Sequence, residues 1–282
     1  MKEKRFYILR NINELSNWRE RQANSIGFVP TMGALHSGHL SLVQTAQKNH
    51  SSVLVSIFIN PTQFNDKKDL DRYPRTEEND LLLLKSIGCD AVFIPQIQDI
   101  YGHNVEAEFF DFGSLTQLWE GAFRPGHFNG VITVVKRLFS LVQPHSAYFG
   151  KKDFQQYLII SHWSKITNSA VRVVGCDTVR SADGLAMSSR NSRLSAEEKN
   201  AALAISKSLF FLRERKSIEP LKQTIEFVHA QFLNPAGVRV EYLTCANSES
   251  LVPYNEWPQS ACVLLIAGWI GEVRLIDELE IV

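Results

Sequence analysis

From residue 25 to about residue 175, short β-branched runs alternate with helical patterns, the order that builds a parallel sheet joined by crossover helices. The predicted strands are Ile26–Pro30, Val53–Ile59, Ala91–Ile94, Ala147–Phe149 and Val171–Gly175. Among them, Phe128, Val131, Ile132, Val135, Leu138, Phe139 and Val142 recur at i, i+3, i+4 and i+7, which predicts an amphipathic helix packed on the sheet. A doubly wound α/β sheet follows, and its ligands belong in the loops beyond the carboxyl ends of the strands.

After about residue 177 the pattern changes, dividing the chain into an expected first domain, 1–177, and a smaller α+β domain, 178–282. Ser195 with Glu198 three residues on is a capping-box signature ahead of the apolar Ala201–Leu212 pattern. A second helix is expected over Ile218–Leu233, then antiparallel strands at Val238–Thr244, Cys262–Ile266 and Glu272–Ile276, with a turn over Ala267–Gly271 that contains Trp269. There is no internal repeat and no low-complexity segment, so a solenoid or a disordered scaffold is excluded.

The 30 basic residues balance the 30 acidic ones, leaving no global field to hold a nucleic acid. A local phosphate site needs only a few Lys, Arg and backbone N–H groups, so a nucleotide remains allowed. Cys89, Cys176, Cys245 and Cys262 are scattered without a CxxC pair, which argues against a zinc ribbon or a disulfide framework and for a reducing, cytoplasmic setting. The basic start MKEKRFYILR lacks the apolar run of a secretory signal and reads as charge ahead of a short strand. The longest apolar stretch, Ala261 to Ile270, is about half of a bilayer span and reads as a buried strand, so no membrane partner is expected.

The sharpest local motif is PTMGALHSGHLSLV, residues 30–43, where the first of those strands ends and a helix begins. Gly33 and Gly38 permit close backbone approach, and His36 and His39 bracket a helix start whose N–H groups and dipole favour an anion. Two imidazoles there can hydrogen-bond phosphate oxygens; equally, they can cap the helix. The second motif is DGLAMSSRNSRL, residues 183–194. Met187, Ser188, Ser189 and Arg190 place two hydroxyls and a guanidinium in one loop, suited to triphosphate oxygens or to a departing pyrophosphate. An ordinary polar linker with surface arginines has the same composition.

An HxGH turn followed much later by a Met-Ser-Ser-Arg loop resembles the nucleotidylyltransferase superfamily and the class I aminoacyl-tRNA synthetases. FINPTQF (58–64), FRPGHFNGVITVV (123–135), FGKKDFQQ (149–156) and TVRSADGLAMSSRNSRL (178–194) narrow this, and the set resembles the pantothenate synthetase family, strongly over residues 20–195. The resemblance implies a Rossmann-like sheet, a homodimer, and an enzyme that joins (R)-pantoate to β-alanine through a pantoyl-adenylate, releasing pyrophosphate and AMP, with magnesium accompanying ATP. It further implies that His36, His39 and Lys152 contact phosphates, with Ser188, Ser189 and Arg190 on the outer ones, and that Gln63 and Gln156 hold pantoate with Met32 nearby. Pro30, Thr31, Met32, Gly33, Gly38, Gly150, Lys151, Asp153, Val179 and Met187 complete the implied ATP set, Gly150 and Asp153 at the ribose. Tyr73, Asn79 and Asp80 lie in a stretch that is often more acidic in relatives, so no protein ligand to magnesium is assigned.

The chemistry of these side chains agrees. A carboxylate attacking an anionic α-phosphorus needs cations and donors around it, and Lys152 is the compact charge for that task. Two glutamine amides orient a hydroxy acid without pinning its carboxylate in an ion pair. A loop closing around Ser188–Arg190 would shield an acyl-adenylate from water. Arg124 and His127 suit assistance in substrate binding and a turn capping the long helix equally well, and are left outside the catalytic set. His50, His103, His145 and His162 are expected to be surface or satisfied histidines, and Trp119, Trp163, Trp257 and Trp269 core or interface residues. Three rivals are weaker. A cytidylyltransferase for a phosphorylated alcohol would favour a basic residue at Gln63 or Gln156, a synthetase fragment would carry a basic tRNA face, and a silent nucleotide-binding regulator would lack His36, His39 or Lys152.

Overall fold

Across residues 5–22, 24–216 and 218–281, which the computed structural model describes, the chain forms two sheets. Six strands, β1 (Tyr7–Leu9), β2 (Ile26–Thr31), β3 (Ser52–Ile57), β4 (Ala91–Phe93), β5 (Ser146–Gly150) and β6 (Arg172–Cys176), run parallel in the order β1-β4-β3-β2-β5-β6. All five strands expected between residues 25 and 175 are present, and β1 is the short strand expected after the charged start; residues 1–4 lie outside the described residues. Val53, Leu54 and Val55 are fully buried because helices cover both faces of the sheet. One apolar cluster joins Phe28, Leu54 and Phe93 to the His127–Val142 helix. Another joins Val29, Val55 and Val92 to Leu42 and Val43 of the Ser37–Asn49 helix.

The strand order reverses at β2. From β2 the chain moves outward to β3 and β4, then crosses back to place β5 on the opposite side of β2. Connections diverge there, so a crevice opens at the carboxyl ends of β2 and β5.

The second sheet is antiparallel: β7 (Arg239–Asn247), β8 (Cys262–Ile270) and β9 (Val273–Ile281). Its two faces bury against different partners. Leu264 and Ile266 pack with Ile205, Leu209 and Leu212 of the Ala196–Arg215 helix, whereas Val263, Leu265 and Ala267 join the core of the parallel sheet. The expected turn over Ala267–Gly271 is corrected. The strand runs on to Ile270, Trp269 pairs with Arg239 and Arg274, and the turn is confined to Gly271 and Glu272 between Ile270 and Val273. Gly268 belongs in the strand because a Cβ there would meet Val238 Cγ1 at 2.9 Å. The helix expected from Ile218 starts at Leu221, with Pro220 as its N-cap, and passes into a π-helical turn at His229–Leu233. The Ser195–Glu198 capping box forms as expected.

Candidate active site

A cavity of about 220 Å³ fills the crevice beyond β2 and β5. Its floor begins where β2 ends. Thr31 Oγ1 donates to the Ser56 carbonyl at 2.7 Å and accepts the Gly33 N–H at 3.2 Å, turning the chain as it leaves the sheet. Gly33 has φ +81° and Ala34 has φ 49°, a left-handed region that a residue with a Cβ seldom enters. Asp80, 1% exposed on the Glu77–Ser86 helix, holds this geometry by accepting the N–H groups of Ala34 (2.9 Å) and Leu35 (2.8 Å). Its carboxylate is a bracket for the turn. Asn79 on the same helix is exposed.

The turn delivers His36 as the N-cap of the Ser37–Asn49 helix and His39 as its third residue. His36 Nδ1 accepts the Gly38 N–H at 3.2 Å, His39 Nδ1 accepts the His36 N–H at 3.4 Å, and the ring centroids lie 4.1 Å apart. Both rings therefore cap the helix, and the same bonds fix the other nitrogen, Nε2, as the protonated donor of a neutral imidazole. Burial, then the charge of Lys152, holds His36 down to about 4; burial, then His36 and Lys152, holds His39 down to about 3. Capping and phosphate donation are compatible in one side chain.

At the other side of the crevice β5 ends at Gly150, and a short 3-10 turn over Lys151–Asp153 leads into the Phe154–Ile166 helix. Gly150, Lys152, Asp153 and Gln156 line the cavity. Lys152 has only a loose anion neighbour, Asp153 at 3.9 Å. Lys151 faces away, where Glu280 (2.5 Å) and Asp177 (3.2 Å) bind its ammonium. Of the implied ATP-binding residues, Lys151 and Gly33 alone fall outside the cavity lining.

Gln63 closes the inner end. The Pro61–Gln63 turn sits on the His127–Val142 helix so closely that a Cβ on Gly130 would meet the Thr62 carbonyl oxygen at 2.3 Å. The Gln63 amide accepts from Asn60 Nδ2 at 3.1 Å and donates to Met32 Sδ at 3.0 Å, which brings Met32 and Gln63 together. The Gln63 carbonyl lies 2.8 Å from His127 Nδ1 and 3.3 Å from Arg124 Nη2. Both line the cavity, where the substrate-binding reading of RPGHF would put them. Burial, then the Arg124 charge, keeps His127 neutral, down to about 3.

The second motif forms the opposite wall. Val179, Met187, Ser188, Ser189 and Arg190 line the cavity with Pro30, Thr31 and Gly38. The base of this loop is tied to β9, where Arg180 makes a two-point pair with Asp277 at 2.6 and 2.9 Å. Its tip is held by Asp69, which binds Arg190 (2.8 Å) and Arg193 (3.1 Å), and by Tyr73, whose hydroxyl is 3.3 Å from Ser189 Oγ. The two motifs, far apart in sequence, thus face one another across the cavity.

Outside it, His145 accepts the Ile26 N–H through Nδ1, as expected of a satisfied histidine. His50 packs against Tyr148 with Nδ1 buried and unbonded, so it is not one. Trp163 is core, and Trp119, Trp257 and Trp269 donate to Leu251, Glu219 and Glu241.

The family profile described as Pantoate-beta-alanine ligase matches residues 7–280. A pantothenate synthetase of Bacteroides fragilis is 44% identical over 260 residues, spanning 92% of this chain and 92% of that protein. A crystal structure of pantothenate synthetase from Thermus thermophilus superposes with a TM-score of 0.91 at 40% identity, covering 97% of this chain and 98% of the other. That of a Francisella tularensis pantoate-beta-alanine ligase, complexed with beta-gamma ATP and beta-alanine, superposes with a TM-score of 0.83 at 33% identity over 98% and 97% of the two chains.

Proposed function

The chain belongs to the pantoate–β-alanine ligase family, and from that premise we propose how its cavity divides the labour of joining (R)-pantoate to β-alanine with ATP. The reaction has two halves. A pantoate carboxylate oxygen attacks the α-phosphorus, the bond to the β-phosphate bridge breaks, and pyrophosphate leaves. The β-alanine nitrogen then attacks the acyl carbon, loses its proton, and AMP leaves with pantothenate formed.

Gln63 and Gln156 orient pantoate, with Met32 against it. The observation that carries this assignment is the sharing of one cavity by these two neutral amides and by His36, His39, Lys152 and Arg190. Neutral amides leave the attacking carboxylate its nucleophilicity, while the donors and cations offset the charge that develops on the phosphoryl oxygens. His36 and His39 donate through Nε2, Lys152 supplies the mobile charge, and Ser188, Ser189 and Arg190 take the outer phosphates. Pro30, Thr31, Gly38, Gly150, Asp153, Val179 and Met187 enclose the nucleotide.

Magnesium fits as a companion of the phosphates. Among the described residues no group of three His, Cys, Asp or Glu side chains could hold a metal ion. Asp69 and Asp80 are engaged by arginines and by backbone N–H groups. Mg²⁺ bound through substrate phosphates and water needs no more than this, and it would reduce the phosphate charge that the carboxylate approaches.

Residues 178–282 act as the unit that closes over the first domain, carrying the Met-Ser-Ser-Arg loop; the separate apolar cluster on one face of β8 supports that division, although the other face shares the core of the parallel sheet. Homodimer assembly rests on the family resemblance. A cytoplasmic setting rests on the scattered cysteines, which form no CxxC pair, and on ATP as the reagent.

Pyrophosphate release with Mg-ATP and (R)-pantoate, before and after addition of β-alanine, tests the scheme. A stoichiometric burst followed by steady AMP formation is expected. No burst, with turnover elicited instead by a phosphorylated alcohol or an amino acid, would move the activity elsewhere in the superfamily.

A further inference from the structure

Three cationic side chains line the main cavity, and they differ in how firmly anions already hold them. Arg190 is bound by Asp69 at 2.8 Å. Lys152 has Asp153 at 3.9 Å and Arg124 has Glu120 at 3.6 Å. These last two are the loosely held charges of the site, and Lys152 faces the phosphates in the scheme above. Arg124 has no task there beyond a long bond to the Gln63 carbonyl.

Glu120 holds Arg124 only loosely, because Arg274, itself also paired with Glu241 at 2.7 Å, binds it more closely. Arg274 of β9 binds both Glu120 oxygens, at 2.6 and 2.9 Å, and the Tyr242 hydroxyl donates to Glu120 at 2.8 Å. Arg124 makes two longer contacts, 3.2 Å to His127 Nε2 and 3.3 Å to the Gln63 oxygen. A guanidinium carries five N–H donors, so most of its donor capacity is unspent. Its side chain is 21% exposed and borders both the main cavity and a side hollow of about 20 Å³, room for one small polar group. His127, Lys152 and Gln156 border both spaces as well. Three carboxylates border the hollow: Glu120 is paired by Arg274 and Asp277 by Arg180, while Asp153 lies 3.9 Å from Lys152.

We infer that Arg124 is the carboxylate receptor for the amine substrate: β-alanine lays its carboxylate on the free donor edge of Arg124 and extends its amine, across two methylenes, toward the acyl group held beside Gln63 and Gln156. This rests on the ligase reading and gives its second half-reaction an anchor. The amine must reach the acyl carbon uncharged, which leaves the carboxylate as the substrate's one permanent charge. A planar fork matches it better than an ammonium would.

The test pairs a deletion in the protein with a deletion in the substrate. Ligation is measured for the unaltered enzyme, Arg124→Ala and Arg124→Lys with β-alanine and with n-propylamine, which keeps the amine and lacks the carboxylate. Arg124→Ala should lower kcat/KM for β-alanine about 10- to 100-fold, chiefly through KM, with a far smaller loss on propylamine. Arg124→Lys, which keeps the charge and the packed stem, should fall between. Equal losses on both acceptors would make Arg124 a support for the Gln63 turn and overturn the inference. So would a rise in the pantoate KM for pyrophosphate formation as large as the rise for β-alanine, which would assign the guanidinium to the other carboxylate. The ligase reading fails separately, if the unaltered enzyme gives no pyrophosphate with pantoate.

Discussion

Two of the segments that face the phosphates in the proposed scheme are held in opposite ways. The Pro30–Leu42 turn is fixed by backbone: Gly33 and Ala34 in left-handed conformations, Asp80 on two N–H groups, and two histidines capping the helix they begin. The Val179–Leu194 loop is fixed at its base by Arg180 and Asp277, but at its tip by side-chain pairs that stay a quarter exposed, Arg190 at 25% and Asp69 at 28%. Buried bonds to backbone are costly to break, and exposed ion pairs are worth little. In the proposed scheme one wall of the cavity is thus ready before substrate arrives, while the other opens at its tip to admit ATP and closes to exclude water.

If Lys152 of the Lys151–Asp153 turn, which lies outside both segments, does the electrostatic work, its loss should dominate. Lys152→Ala should slow single-turnover adenylation by about two to three orders of magnitude, the scale for one lost transition-state donor, with thermal stability little changed. A fall of less than about fivefold would transfer that work to the mobile loop.

Next in size is the bracket itself. Asp80→Ala leaves the Ala34 and Leu35 N–H groups without their acceptor and should destabilise the protein by about 3 kcal/mol, at 1–3 kcal/mol per unsatisfied buried group. Asp80→Asn, which keeps one acceptor oxygen, should cost about half as much. Urea unfolding measures both. Equal, small losses would mean that the turn holds itself and that Asp80 is incidental.

Asp80 also shows where sequence reading stops. The strand, turn and helix around PTMGALHSGHLSLV were legible because Gly33, His36 and His39 act on their own backbone within a few positions. Asp80 acts 46 residues from Ala34, Asp69 acts 121 residues from Arg190, and Arg124 reaches Gln63 across 61. Nothing local distinguishes those side chains from surface charges; only the fold brings each to its partner. The misplaced turn at Ala267–Gly271 has the converse cause. Its two glycines have the composition of a turn, yet Gly268 is needed for close strand packing and Gly271 alone, at φ +54°, turns. Lys151 and Lys152 are alike in sequence and point to different anions because Glu280 arrives from β9.

Acid should separate the two regions by sign. The pKa values of His36, His39 and His127 are held near 4, 3 and 3, so the unfolded chain protonates first as pH drops below about 6.5 and stability is lost until the folded values are reached. His127, 5% exposed, alone should account for about 2 kcal/mol between pH 7 and pH 5. Glu278 in β9 runs the other way. Burial, then Asp277 and Glu280, raises it to about 7, so its protonation in the folded state stabilises the second sheet over the same interval. Hydrogen exchange at pH 7 and pH 5 should therefore speed up around β2 and the Ser37–Asn49 helix relative to β8 and β9, and Glu278→Gln should remove the protection gained by the sheet. A uniform change across both regions would contradict the opposed signs.

The smallest effect expected lies at the loop tip and bears most directly on gating. Asp69 is shared by Arg190 and Arg193, and removing its charge as Asp69→Asn should leave global stability within about 1 kcal/mol, as for other partly exposed pairs. The same energy, taken from the closed loop alone, raises the open fraction by about three- to fivefold, since 1.4 kcal/mol corresponds to tenfold. An adenylate held under a looser loop meets water more often. AMP formation from ATP and pantoate without β-alanine should rise by that same factor of about three to five, with ligation in saturating β-alanine nearly unchanged because the amine outcompetes water. If uncoupled AMP formation stays at the level of the unaltered enzyme, the Asp69 pairs do not hold the closed state, and both walls of the cavity must count as equally pre-formed.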